Sequence, residues 1–160
     1  MDKVALLKAV ILNLEESLSS IVTLANEAKA EATNEESKAE NKYDTRGLEA
    51  SYLAGGQAKR ADEFKQTIDR LQKIEIQNFK EGDLIGMTTL IHIIDQDENE
   101  KWLFILPFAG GTKIQFKNHE ILVITPQSPM GQKLMGLKAD SDFSVTINGK
   151  AFEYDILEVY

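Results

Sequence analysis

Val4, Leu7, Ile11, Leu14, Leu18, Ile21, Ala25, Ala28 and Ala32 follow one another in alternating steps of three and four. That spacing lines apolar side chains along one seam of a helix made to pair with another helix. The seam is large at its start and small at its end. After an interval rich in carboxylates, Ala50, Ala54, Gln57, Ala61, Phe64, Ile68 and Leu71 repeat the spacing with the gradient reversed, small first and large last. Folding the chain back at the interval sets large against large and alanine against alanine, so an antiparallel helical hairpin accounts for both gradients. Each arm of about 30 residues would span roughly 45 Å at 1.5 Å per residue. Gly55-Gly56 falls inside the second arm, where each glycine costs on the order of 1 kcal/mol of helix propensity. The pair is either a local weak point or a place of close backbone approach to Ala25 and Ala28, and the sequence reading favours close approach.

Beyond Ile74 the apolar period changes from 3.6 to 2. "DLIGMTTLIHIID" and "EKWLFILPF" read as strands separated by "DQDENE", and "HEILVITP" reads as a third. "AGG" at Ala109–Gly111 has strand on both sides and lacks the Lys-Ser/Thr of a phosphate-cradling loop, so it reads as a turn. Ser128 caps a short helix that opens with Pro129 and stops at Gly136. "DFSVTI" and "AFEYDILEVY" flank Asn148-Gly149, a strong hairpin signal. The expected class is therefore α+β: a helical hairpin (coiled coil) over residues 1–76, then over 77–160 a mostly antiparallel sheet with one short helix. The boundary falls near Gln77 to Asp83.

With 18 Lys+Arg against 26 Asp+Glu the net charge is -8, which argues against general adhesion to nucleic acid or anionic membrane. Zero cysteines removes disulfides, thiolate metal sites and cysteine nucleophiles together. No apolar run approaches the ~20 residues of a membrane span and no secretory leader pattern opens the chain. A cytoplasmic protein with no membrane contact is the expectation. His92, in an apolar strand, and His119, in a loop before another strand, lack ligand partners at metal spacing. Trp102 and Phe104 alternate with Leu103 and Ile105, which suits a packed core better than a base-stacking platform.

Two stretches add up to a family likeness. "SPMGQKLMG", Ser128 to Gly136, followed by Asp142, Val145 and "YDILEV", resembles the Ser-Pro-x-Gly-x-x-Leu-x-Gly signature of the bacterial Gre (GreA/GreB) transcription elongation factors. "AENKY", Ala39 to Tyr43, is similar to that family's Glu-Asn-x-x-Tyr segment, with the tyrosine one residue early. The resemblance implies an FKBP-like C-terminal domain that docks on RNA polymerase, with Ser128, Pro129, Gly131 and Gly136 as the binding motif. It further implies a hairpin that enters the polymerase's secondary channel and brings acidic residues to its active centre. There a carboxylate can help hold a second Mg²⁺, a hard cation that prefers oxygen ligands, while the polymerase cleaves its own backtracked RNA.

On that reading Glu40 is the principal tip residue, Asn41 an orienting neighbour, and Glu36 and Asp44, one turn before and after, are candidates for a second charge. Cleavage factors carry an Asp three positions before the Glu; this chain has Ser37. Lys38, Lys42, Arg46, Lys59 and Arg60, with Lys29, would form a basic patch that meets polymerase or extruded RNA. The chain would hold no stably bound metal or cofactor, catalyse nothing itself, act as a monomer, and meet RNA only indirectly in the channel. The competing readings are an FKBP-like prolyl isomerase with a helical dimerisation arm, a dimeric coiled-coil scaffold, and a secondary-channel regulator that does not promote cleavage.

Overall fold

The computed structural model describes residues 1–33, 46–147 and 149–160. Two long helices come first, α1 (Lys3–Thr33) and α2 (Arg46–Leu71). Asp2 starts α1 by accepting the Ala5 N–H on Oδ1 at 3.0 Å, satisfying one of the orphan donors of the first turn. Leu7, Leu14, Ile21 and Ala28, seven residues apart, are buried, and Ile11, Leu18, Ala25 and Ala32 are half-buried. In α2, Ala50, Ile68 and Leu71 are buried and Ala54, Gln57, Ala61 and Phe64 half-buried. Both seams therefore lie where the 3–4 spacing puts them, and the two helices form a hairpin.

Two details of the helices depart from the sequence reading. Val4 is 52% exposed, because the first turn of α1 turns Lys3 inward instead. Gly55 and Gly56 are exposed, and a Cβ built on either meets no heavy atom within 4 Å. They are not a site of close approach to Ala25 and Ala28. The alternative holds: the pair is a weak point on the open face of α2.

The remaining chain builds a six-stranded sheet from β1 (Leu90–Asp95), β2 (Glu100–Ile105), β3 (Lys113–Phe116), β4 (His119–Ile124), β5 (Asp142–Ile147) and β6 (Lys150–Val159). Its strand order is β3-β4-β2-β1-β6-β5. All neighbours are antiparallel except β2 and β4, which run parallel from Trp102↔Ile121 to Ile105↔Ile124. Parallel neighbours need a crossover. Here β3 supplies it, lying at the edge while β4 returns to fill the place beside β2. The sheet is thus mixed rather than wholly antiparallel.

Local backbone chemistry sets the strand limits. β1 begins at Leu90, later than the alternation from Asp83 suggests, because Thr88 takes a left-handed φ of 60° and Gly86–Thr89 closes a turn. Lys117 and Asn118, at φ 49° and 58°, make the paired left-handed turn that suits a tight hairpin. That turn is complete before His119, which is therefore the first residue of β4 and not part of a loop. At Ala109–Gly111 the chain does turn, with φ 62° at Ala109 and 89° at Gly111. The β5–β6 ladder closes at Ile147↔Lys150, and Gly149 has φ 79°.

Both faces of the central strands are covered. One carries the core of Ile91, Ile93, Leu103, Ile105, Ile124, Phe143, Val145, Tyr154 and Ile156, closed by Ile85 and by Leu134 of α3 (Pro129–Leu134). The other presents Leu90, Phe104, Ile121 and Val123, all fully buried, and Trp102. Two-sided burial is why "LIHII" and "WLFIL" are nearly continuous apolar runs instead of clean alternations. Packing divides the chain into two units, Ile11–Lys73 and a sheet unit made of Met1–Val10 with Ile74–Tyr160.

Candidate functional site

The Ser-Pro-x-Gly stretch is held by local constraints at four of its positions. The Ser128 hydroxyl accepts the Gly131 N–H at 3.1 Å and donates to the Thr125 carbonyl at 2.7 Å, so one side chain both caps α3 and fixes the approach to it. Pro129 sits in the first turn, where a missing N–H costs nothing. Gly131 is buried, and a Cβ there would collide with the Thr125 carbonyl oxygen. Gly136 ends the helical segment at φ 84°, a region that favours glycine. Its N–H donates to the Ile85 carbonyl at 2.9 Å, and the Ile85 N–H donates to Leu137 at 2.8 Å. Every residue carried by the motif therefore has a structural task, and α3 is pinned against the core through buried Leu134. What the motif turns outward is Pro129, Gln132, Lys133 and Met135, the last 37% exposed.

The acidic tip residues Glu36, Glu40, Asn41 and Asp44, with Ser37, Lys38 and Lys42, lie outside the described residues. Arg46 opens α2. Lys29, Lys59 and Arg60 are exposed on the two helices, and Arg60 lies 5.8 Å from the centre of the Phe64 ring, its guanidinium resting on the seam's largest side chain. On the outer side of α2, Leu48, Tyr52 and Leu53 are 56%, 73% and 55% exposed. The seam reading did not mark these three, since they fall between its positions.

In the sheet, His92 stacks on Trp102 with ring centres 4.2 Å apart and planes 6° from parallel. His119 leans on the same indole at 4.8 Å. His92 Nε2 lies 3.0 Å from Glu100 Oε2. The imidazoles are packing groups around the single tryptophan, as their isolation in the sequence suggests. An open cleft of about 360 Å³ borders Trp102, His119, Lys113 and Glu120, and the last two are paired at 2.8 Å. Among the described residues no group of three or more His, Asp or Glu side chains is placed to hold a metal ion, and no helix is long and apolar enough to cross a membrane.

The turn after β1 is organised by Asp95. Its Oδ1 accepts the N–H groups of Asp97 and Asn99 and the Asn99 side-chain amide, and its Oδ2 accepts from Lys101 at 3.0 Å. The Asn99 N–H first, and then the Lys101 ammonium, hold the carboxyl down at about 2. This acidic loop is therefore a satisfied turn.

No family model matches the chain. It is similar to transcription elongation factor GreA of Lachnoclostridium phytofermentans, 25% identical over 97 residues, a match covering 59% of this chain and 58% of that relative. The chain thus spans somewhat more than half the length of the curated relative it matches. Among solved structures, GreA factor homolog 1 of Thermus thermophilus is 21% identical with 96% of each chain covered and a TM-score of 0.40. The GreA/GreB elongation factor of Nitrosomonas europaea is 16% identical over 60% of this chain and 78% of its own, with a TM-score of 0.36. Superpositions this loose carry no functional argument.

Proposed function

We propose that this chain is a Gre-type transcription factor whose sheet unit docks on RNA polymerase and whose helical hairpin carries residues 34–45 into the polymerase's secondary channel. The observation that carries the reading is the sequence likeness to GreA over 97 residues. The helical hairpin and the constrained Ser128–Gly136 stretch support it. On this reading the metal and the hydrolysis belong to the polymerase, and Glu40, assisted by Glu36 or Asp44, adds a hard oxygen ligand or orients water there. Nothing favours the prolyl-isomerase alternative: Phe104 is wholly buried and Trp102 is buried against the rings of His92 and His119.

The test is a purified backtracked elongation complex with Mg²⁺, with and without the protein, alongside co-purification with core polymerase. Shortened transcripts establish assisted cleavage. Binding without shortening favours a regulator that keeps the shape and does not promote cleavage, as expected if Ser37 in place of the family's Asp weakens the tip. Failure to bind overturns the proposal. If cleavage is assisted, Glu40→Ala keeps binding and slows transcript shortening by at least tenfold; loss of binding in that variant would make the tip an anchor instead.

A further inference from the structure

Lys3 is a buried lysine, 7% exposed, in the first turn of α1. Its ammonium donates to the Gln77 carbonyl at 2.6 Å and the Tyr160 carbonyl at 2.9 Å. Burying an ammonium is costly unless acceptors take up its protons, and here two main-chain oxygens do so. The lysine joins three segments: the start of α1, the chain that follows α2, and the end of β6.

Gln77 is held from its other side as well. Its N–H donates to Thr88 Oγ1 at 2.9 Å. Thr88 is 2% exposed and sits at φ 60°, a conformation that a β-branched residue keeps only when its surroundings impose it. The Thr88 N–H is tied to the Ile105 carbonyl at 2.8 Å, and Tyr160 exchanges two backbone hydrogen bonds with Leu90. The chain passes between its two units at Val10/Ile11 and at Lys73/Ile74. Lys3 and Gln77 stand on the sheet side of those crossings.

We propose that Lys3, Gln77 and Thr88 form a latch that fastens both segments leading to the helical hairpin onto the sheet, and that this latch opens as a unit. Met1–Val10 and the stretch after Ile74 come free together while the β1–β6 ladders stay paired. The opening uncovers Leu6 and Val10, which are fully buried, so it exposes apolar surface and responds to urea. Lys3 is a positioning residue here: it acts through Gln77 on where the chain leaves the sheet. The inference goes beyond the proposed function and does not depend on it.

Amide hydrogen exchange on the full chain, read residue by residue at low urea, tests it without polymerase. In the unmodified protein the Leu6 and Gln77 N–H groups should exchange through one common opening, with a smaller urea slope than the Val123 and Ile156 N–H groups of the sheet. Lys3→Met should speed Leu6 and Gln77 together by roughly ten- to a hundredfold, the loss of a charged hydrogen-bond donor, and leave Val123 and Ile156 unchanged. Lys3→Arg should restore part of the protection. Thr88→Ala should speed Leu6 in the same way from the opposite side of Gln77. The latch is refuted if Leu6 and Gln77 share the slope and rate of Val123 in the unmodified protein, which needs no variant to fold. It is equally refuted if Lys3→Met speeds all four groups alike or none.

Discussion

Replacing Gly55 and Gly56 with alanine should stabilise the hairpin, and the size of the gain follows from their surroundings. Both residues lie inside α2, far from either end, and both are exposed. A Cβ at either position meets no heavy atom within 4 Å, so no packing penalty offsets the backbone term. Glycine is disfavoured relative to alanine inside a helix by about 0.8–1 kcal/mol, largely because the unfolded glycine chain has more freedom to lose. The double variant Gly55→Ala/Gly56→Ala should therefore gain about 2 kcal/mol. In a unit the size of Ile11–Lys73, 1 kcal/mol moves Tm by about 4–8 °C, so the helical transition should rise by roughly 8–16 °C. Ellipticity at 222 nm during heating and in urea reports it directly, with the urea midpoint raised and the slope unchanged. A variant no more stable than the parent, or less so, would contradict the open surroundings of the pair and restore its close approach to Ala25 and Ala28.

Gly131→Ala should be among the most damaging single-methyl additions in the protein, because the new Cβ collides with the Thr125 carbonyl oxygen and not with a movable side chain. A loss of about 3 kcal/mol or more is expected, read as a fall in the urea midpoint of the sheet; near-parental stability would contradict the described path of residues 125–131. Asp95 should make the sheet acid-sensitive. Its folded carboxyl lies at about 2, below its ordinary 3.8, so its stabilisation is present above about pH 4 and is lost as pH falls through 2. Asp95→Asn should flatten the pH dependence over that window, measured by urea midpoints followed on Trp102 fluorescence; an unchanged pH profile would show that the turn does not depend on the charge.

Much of this protein is legible in its sequence because two periodicities are local properties. The 3–4 recurrence from Leu7 to Ala32 and from Ala50 to Leu71 names the buried seams, since a helix has one geometry and its apolar stripe must be covered. Ser128, Pro129 and Gly136 name the limits of α3 for an equally local reason, the capping of orphan N–H and C=O groups. Among the candidate site residues, the motif from Ser128 to Gly136 could be placed side by side from sequence alone. The exposure of Leu48, Tyr52 and Leu53 could not, because nothing in a helical seam says what its outer face meets.

Other features required the folded chain. The parallel pairing of β2 with β4 depends on which strand fills the gap beside Trp102, and alternation is blind to neighbours. Thr88 reads as one more β-branched residue in a strand, yet hydrogen bonds from Gln77 and to Ile105 hold it in a left-handed turn. Nothing local marks Lys3 for burial; it becomes a buried donor only because Gln77 and Tyr160, distant along the chain, bring their main-chain oxygens to it. What each segment becomes follows from its own residues, because propensity, caps and period act within a few positions. Which segments meet is settled only in the folded chain, because a buried polar group must find its partner wherever in the chain that partner lies.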